Sequence, residues 1–243
     1  MALSLHADMS VIRQRTIEED PTRTVAEVLV RKCLDDEQFM EIKVAIVGGS
    51  DSGKSTLLGV LSYSEMDNGK GKARLNLFRH RHEIASGRTS SISRQIIGFD
   101  TKGSLINFAT TNICTVEQIC EVSPKVLTFL DTCGHPKYQR TTISGLTGHS
   151  PDYACLVVAA NSGSLSETAR EHLGIAVVLA VPVFICMTKI DIASAEQLKR
   201  TISSLLNLLK SPGLRRIPFV IQTEDDVVTS IANFVSGKQV YII

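Results

Sequence analysis

The stretch that decides the fold is KVAIVGGSDSGKSTLLGVL, which runs from Lys43 to Leu61. An apolar run typical of a β-strand leads into Gly48, and Gly53 and Lys54 open a run typical of a helix. The glycines let the backbone curl until successive N–H groups point at an anion, and the helix N-terminus adds its positive dipole. The sequence therefore predicts a phosphate-binding loop. Its candidate residues are Gly48, Gly49, Ser50, Asp51, Ser52, Gly53, Lys54, Ser55 and Thr56.

Within this loop Lys54 is expected to neutralise phosphate charge, and the Ser55 hydroxyl is expected to be a Mg²⁺ ligand. A ligand-free turn between a strand and a helix is the alternative, but every fixed position of the G-x4-G-K-S pattern is present. The motif alone does not separate GTPases from ATPases and kinases.

Outward from the loop, apolar runs alternate with amphipathic ones. Nearly continuous apolar runs indicate parallel strands that are buried on both faces, and alternation with helices predicts an α/β fold with a mainly parallel sheet. The strand-like runs cover residues 126–131, 153–160, 181–191 and 217–222. The helix-like runs cover residues 54–61, 166–179, 193–209 and 226–234.

The ends of the chain and one long segment are less regular. We interpret residues 1–38 as an N-terminal extension with a β-strand and a short helix over 7–15, and 39–243 as the main domain. The β-rich runs 26–32 and 39–48 are expected to pair as a hairpin. A second hairpin is expected over 94–109, inside a long polar segment of the kind that is usually functional. The last run, QVYII, is expected to be an edge strand that frays first.

Composition excludes several classes of protein. Among 243 residues, 26 Lys and Arg balance 25 Asp and Glu, which argues against a protein that coats nucleic acid. Six cysteines without a CxxC pair indicate a reducing compartment. The longest apolar run, Leu173 to Met187, is shorter than the roughly 20 residues of a membrane span. We therefore expect a cytoplasmic protein without membrane contact.

Two further motifs follow the loop, each at the end of a predicted strand. In DTCGH, Asp131 can hold Mg²⁺ through water, and the Gly134 amide can reach a γ-phosphate. In TKID, which spans Thr188 to Asp191, the Asp191 carboxylate can accept two hydrogen bonds from guanine, a pattern that adenine cannot return. The stem of Lys189 can lie across the base. Either motif alone is a weak signal, but both lie where α/β ligands bind.

A fourth motif, SGRTSS at residues 86–91, lies in the long polar segment. GTPases need a mobile hydroxyl that ligates Mg²⁺ only when the γ-phosphate is present. Thr89 is the candidate, with its neighbour Ser90 as the alternative. This assignment depends on the other motifs, because an isolated Thr in a Ser-rich loop is usually only solvated.

With these motifs the chain resembles the translational GTPases, the elongation-factor-1α/Tu-like superfamily. DTCGH matches its D-x-x-G-H pattern, residues 167–191 look like its T-R-E-H helix, strand and guanine motif, and residues 65–91 and 211–228 are similar to the GTP-binding protein 1 and 2 branch. The resemblance implies a P-loop G domain that needs Mg²⁺ and GTP. It assigns His135 to the ordering of the attacking water, with Lys54 and Thr89 as further catalytic residues. It also implies a role beside the ribosome, tRNA or RNA surveillance.

The chain departs from that family at several positions. Gly49 and Ser50 replace a polar and an apolar residue, and Arg88 replaces an apolar residue, so the apolar gate around His135 is expected to be incomplete. Cys133 replaces a Pro or Ala. The last guanine-contacting loop and the C-terminal barrels of the family do not follow QVYII in this sequence. A non-hydrolysing GTP-binding switch or interaction module is therefore the alternative to a slow GTPase. TKID disfavours an ATPase or kinase.

Two groups of basic residues have simpler interpretations. The run from Arg79 to His82 is interpreted as a solvated helix face, with a contact to ribosomal RNA as the alternative. His172 is expected to pack or cap at the start of its helix rather than to act in catalysis.

Overall fold

The computed structural model describes residues 7–17, 20–32, 40–110, 113, 115–234 and 238–243. The strands are β1 (Ala7–Ile17), β2 (Asp20–Lys32), β3 (Met40–Gly48), β4 (Ser93–Phe99), β5 (Leu105–Ile106), β6 (Lys125–Asp131), β7 (Tyr153–Ala159), β8 (Val183–Thr188), β9 (Ile217–Val220) and β10 (Gln239–Ile242). The helices are α1 (Lys54–Tyr63), α2 (Arg81–Ser86), α3 (Val116–Val122), α4 (Gln139–His149), α5 (Glu167–Val178), α6 (Ala195–Lys210) and α7 (Glu224–Phe234).

The main sheet has eight strands in the order β5-β4-β6-β3-β7-β8-β10-β9. Strand β3 pairs in parallel with β6 and β7, and β8 and β10 continue the parallel set. Only β4 and β5, among the described strands of this sheet, run antiparallel to their neighbours. The predicted α/β fold with a mainly parallel sheet is confirmed, and the carboxyl ends of β3, β6 and β8 carry the three motifs described above.

Both faces of the central strands are buried. Along β3, Ala45 and Val47 pack into one apolar cluster, and Val44 and Ile46 pack into a second. This division explains why the strand is apolar at successive positions. Hydroxyl side chains cap the starts of α3, α5 and α6. At α6, for example, the Ser194 hydroxyl accepts from the N–H of Gln197.

Two predictions for the N-terminal part are wrong. Residues 7–15 belong to strand β1 and not to a helix, and β2 pairs antiparallel with β1, with Val11 opposite Val28. The predicted hairpin between 26–32 and 39–48 does not form, because β3 lies between β6 and β7 in the main sheet.

The C-terminal part also differs from prediction. Strand β10 is not an edge strand, because it lies between β8 and β9, and its residues from Val240 to Ile242 are buried. The edge strand on this side of the sheet is β9, where Ile217 is 60% exposed, although the sequence predicted a strand buried on both faces. The helix α7 connects β9 to β10 and makes the crossover that places β10 between β8 and β9.

The long polar segment contains more structure than expected. The hairpin of β4 and β5 forms as predicted, although β5 has only two residues. Helix α2 begins within the run from Arg79 to His82 that the sequence indicated as a helix face, and it continues to Ser86. The short helix α3 was not predicted. We call residues 79–91 the Thr89 segment: it contains α2, and Gly87 ends that helix in the left-handed region with a φ of 66°.

Helices of the described ranges are all either too short or too polar to cross a lipid bilayer.

Candidate functional site

The phosphate loop joins β3 to α1, and Gly53 lies at the helix start with a φ of 91°. Lys54 follows and is only 6% exposed. Its Nζ donates to the carbonyl oxygen of Gly49 at 2.6 Å, and the Ser52 hydroxyl donates to the same oxygen at 3.0 Å. Burial lowers the pKa of Lys54, against the raising effect of the Asp131 carboxylate. The loop therefore surrounds a buried ammonium group.

Two glycines are required by close approaches of the backbone. A side chain at Gly134 would collide with Lys54 Nζ and with the Gly49 carbonyl, and one at Gly48 would collide with the Val157 carbonyl. Gly134 also brings the DTCGH loop directly against the phosphate loop. Two of the sequence motifs thus meet at van der Waals distance, which only a residue without Cβ permits.

Three oxygen-bearing side chains converge beside Lys54. Ser55 Oγ donates to Asp131 Oδ2 at 2.6 Å and lies 2.8 Å from Thr89 Oγ1. Burial raises the pKa of Asp131 to about 6, and its Oδ1 has no hydrogen-bond partner within the described part of the chain. These are hard oxygen donors of the type that Mg²⁺ prefers, and the unpartnered Oδ1 suits a water molecule of the ion. The residues fit a Mg²⁺ site.

The loop after β6 is held by two side-chain hydrogen bonds and carries His135 at its end. Thr132 Oγ1 donates to the Ile46 carbonyl at 2.7 Å, and Thr142 Oγ1 donates to the Cys133 carbonyl at 2.8 Å. His135 starts the 3-10 helix Pro136–Tyr138, and its Nδ1 accepts from the N–H of Lys137 at 3.1 Å. The imidazole is half-buried and lines the phosphate pocket.

One open pocket brings most of the predicted phosphate and metal residues together. It also includes Arg88, which the sequence indicated as part of the gate around His135, and Arg74 and Gly87, which the sequence did not indicate. Arg74 is half-buried at the start of the 3-10 helix Leu75–Leu77, and its guanidinium lies against Gly71 and Gly87. The lining residues are Ser50, Asp51, Gly53, Lys54, Ser55, Thr56, Arg74, Gly87, Arg88, Thr89, Gly134 and His135.

The base end lies at the carboxyl end of β8. Thr188 Oγ1 donates to the Ser52 carbonyl at 2.7 Å, and Lys189 Nζ donates to the Asp51 carbonyl at 2.7 Å. The TKID motif is therefore connected to the back of the phosphate loop. Asp191 is exposed and does not line the phosphate pocket.

His172 lies behind the phosphate loop. It is fully buried in α5, and its Nδ1 accepts from the N–H of Gly48 at 3.2 Å. Burial, with help from the nearby Lys54 charge, lowers its pKa to about 4, so the ring is neutral. Its Nε2 has no hydrogen-bond partner among the residues described. His172 packs as expected, but it also holds a backbone group of the loop, which the sequence alone did not indicate.

These features define a P-loop GTP-binding domain. The phosphate loop follows β3, the oxygen cluster for a cation includes Asp131 at the end of β6, and the guanine-type motif lies at the end of β8. The sequence profile of the Elongation factor Tu GTP binding domain matches residues 40–238, and the chain belongs to this family of translational GTPases.

Individual relatives agree with that assignment. The chain is 50% identical to GTP-binding protein 2 of Homo sapiens over 99% of its own length and 40% of the relative's. It is 48% identical to GTP-binding protein 1 of Xenopus laevis, over 98% of this chain and 36% of that protein. The chain therefore spans about two fifths of these relatives. Both support GTP as the ligand and the resemblance to the GTP-binding protein 1 and 2 branch.

Solved structures show the same fold. Bacterial selenocysteine-specific elongation factor EF-Sec aligns with a TM-score of 0.54 at 19% identity, over 82% of this chain and 29% of that one. The GTPase-like domain of S. cerevisiae Ski7, bound to GTP, aligns with a TM-score of 0.54 at 18% identity, over 85% and 42%. At such identities the likeness extends to the fold alone.

Proposed function

We propose that this chain hydrolyses GTP slowly with the help of Mg²⁺, as the G domain of a translation-factor-like protein. The observation that carries the proposal is the cluster at Ser55, whose Oγ lies 2.6 Å from Asp131 Oδ2 and 2.8 Å from Thr89 Oγ1. Three residues that are far apart in sequence meet there, and His135 lines the same pocket. The catalytic, nucleotide-binding and metal roles predicted above are part of this proposal.

In the proposed reaction the chain acts by charge and position. Lys54 and the loop amides bind the phosphates, and Asp191 selects guanine. Ser55 and Thr89 would hold Mg²⁺ directly and Asp131 through water. When bound, the ion supplies charge neutralisation on the phosphate oxygens. His135 orients the water that attacks the γ-phosphate, and it makes little contact with the bound nucleotide in its ground state.

Phosphate release under multiple turnover tests this proposal. His135→Ala is expected to keep GTP affinity within a few-fold and to lower hydrolysis by roughly one to three decades, around the hundredfold loss that misplacing a reacting group by about 1 Å causes. His149→Ala is the matched control, because His149 ends α4 and is bonded to Arg94 Nη2. Equal rates in His135→Ala and the unchanged protein would refute the assigned role of His135.

A non-hydrolysing GTP-binding switch is the second candidate, and one feature of the pocket lining favours it. Arg88 lines the pocket together with His135, at the position where the family has an apolar gate residue. A charged side chain at the gate lets solvent reach the pocket but does not hold one water molecule in position for attack on the γ-phosphate. Tight GTP binding with no phosphate release above the buffer rate would favour this candidate over the enzyme.

The family also suggests partners and a location. Relatives include translation initiation factor 2 subunit gamma of Aeropyrum pernix, 26% identical over 76% of this chain. We include the ribosome, tRNA or an RNA-surveillance factor in the proposal, and the cytoplasm as its place. Co-sedimentation with ribosomes in the presence of GTP or GDP tests the first of these partners.

A further inference from the structure

Glu83 has the most heavily bonded carboxylate among the described residues. It lies in α2 and is 1% exposed. Its Oε2 accepts from the N–H groups of Arg79 and His80 at 2.9 and 3.1 Å. Its Oε1 accepts from the N–H and Oγ of Ser90 at 2.7 and 2.8 Å, and from those of Ser91 at 3.1 and 3.2 Å. One side chain thus satisfies donors from both ends of the Thr89 segment.

Only a charged carboxylate suits this set of donors. Every partner donates, and an ionised carboxylate accepts through both oxygens, whereas an amide would turn an NH₂ group toward donors. Burial alone would raise the pKa of Glu83, but the hydrogen bonds from Ser90, Arg79 and His80 outweigh it and hold the pKa at about 2. The group is ionised at every pH where the protein would be studied.

Thr89 lies directly beside the bonded residues. Ser90 and Ser91 follow it in the chain, and Gly87, which precedes it by two residues, donates its N–H to the Glu83 carbonyl oxygen. Thr89 Oγ1 lies 2.8 Å from Ser55 Oγ, so the fixed backbone places the hydroxyl at the cation cluster.

We propose that Glu83 is a positioning residue that keeps Thr89 at the cation cluster, so that the preference for GTP over GDP depends on it. The proposal rests on the GTP- and Mg²⁺-binding role argued above. A segment that is already in place does not have to be ordered when the γ-phosphate arrives. If loss of the Glu83 contacts reduces the fraction of molecules with Thr89 in place to a tenth, the apparent affinity for GTP falls about tenfold.

The experiment measures binding of a non-hydrolysable GTP analogue and of GDP, each with and without Mg²⁺. For Glu83→Gln, GDP affinity is expected to stay within about threefold, because GDP lacks the phosphate that engages the switch hydroxyl. Affinity for the GTP analogue with Mg²⁺ is expected to fall about tenfold. Glu117→Gln is the matched control, because Glu117 is exposed in the first turn of α3.

A second variant separates positioning from simple support. Replacing Ser90 and Ser91 together by Ala removes two hydroxyl donors and leaves the carboxylate and both N–H groups in place. The GTP-analogue affinity is expected to fall less than in Glu83→Gln, and the combined variant is expected to equal Glu83→Gln, since both changes act on one contact set.

GDP affinity reports whether the variants fold. Equal losses for GDP and the GTP analogue would show that Glu83 only supports the fold, and an unchanged preference in Glu83→Gln would overturn the proposal directly. Because the measurement is of binding, it decides the role of Glu83 even if the unchanged protein proves not to hydrolyse GTP. Failure of the two proposals is therefore distinguishable.

Discussion

At the phosphate end of the site the side chains are buried and hydrogen-bonded to one another and to the loop. At the base end Asp191 is exposed, and Thr188 and Lys189 each donate one hydrogen bond to a backbone carbonyl of the phosphate loop. Lys54, Asp131 and Glu83 are all nearly inaccessible to solvent, while Asp191 lies on the surface. A charge interaction in a buried site is much stronger than the same interaction in water. Affinity is therefore expected to come mainly from the phosphate end, and selectivity from the base end.

The largest effect is expected at the phosphate end. Lys54→Ala leaves the phosphate charge without its buried partner, a loss of about 3 kcal/mol or roughly a hundredfold in affinity for both GTP and GDP. Equilibrium titration measures it, with Lys199→Ala on the exposed face of α6 as the control. Binding of GDP within threefold of the unchanged protein would place the phosphates elsewhere.

At the base end the expected effect is on selectivity. Asp191→Asn exchanges an acceptor for a donor, and preference is expected to move from guanine toward xanthine nucleotides by about tenfold to a hundredfold, the range for hydrogen bonds to a charged group. Competition titrations with GTP, XTP and ATP measure the shift, with Asp100→Asn at the β4–β5 turn as the control. If ATP competes as well as GTP against the unchanged protein, the guanine assignment is wrong.

The two parts of the phosphate end also differ in how far the sequence predicted them. The phosphate loop is a local motif, so its strand, glycines and helix could be predicted from consecutive residues. The Thr89 segment could be predicted only in part, because Thr89 was chosen by its neighbours in the motif. The contacts of Glu83 with Ser90 and Ser91 join residues seven and eight positions apart across a turn, and no periodic pattern signals such contacts.

The sequence predicted the N-terminal strand and the strand order of the main sheet least well. Ala7, Met9 and Val11 recur at a period of two, which is the pattern of a strand, yet a helix was predicted because the run is mixed and polar. The order of β8, β10 and β9 is decided by tertiary pairing through the α7 crossover, and local propensity does not contain this information. The pairing of β10 with both β8 and β9, together with the burial of Val240 to Ile242, shows that β10 is internal.

Acidification tests the support under the phosphate loop. The pKa of His172 is about 4 in the folded protein, and about 6.5 is the value for an unfolded chain. Between these values the unfolded state binds more protons, so stability falls as the pH is lowered from 6.5 to 4. At pH 5 this loss amounts to about 2 kcal/mol.

His172→Asn removes that pH dependence without removing the acceptor. An Asn amide oxygen can accept the N–H of Gly48 and does not titrate. Urea unfolding at pH 7 and pH 5 is expected to show a difference smaller by about 2 kcal/mol than in the unchanged protein. His149→Asn should leave the difference as it is. An unchanged pH dependence in His172→Asn would mean that other groups cause the acid sensitivity.

The smallest effect is expected at the rim of the phosphate end, where burial no longer strengthens charge interactions. Arg74 is placed there by a loop that Asp67 organises, since its carboxylate accepts from the N–H groups of Gly69, Gly71 and Ala73. The half-buried guanidinium of Arg74 faces the pocket beside Gly87. Such a charge is screened by solvent and contributes about 1 kcal/mol or less.

Arg74→Ala is therefore expected to weaken binding of a GTP analogue by about fivefold, and less for GDP, which carries less phosphate charge. Arg74→Lys should recover part of the loss, because it restores charge without the planar fork. Arg170→Ala is the matched control, since Arg170 is exposed in α5 and does not line the pocket. A loss in Arg74→Ala as large as in Lys54→Ala would show that the rim is as well shielded from solvent as the phosphate loop, and that Arg74 belongs to the buried part of the site.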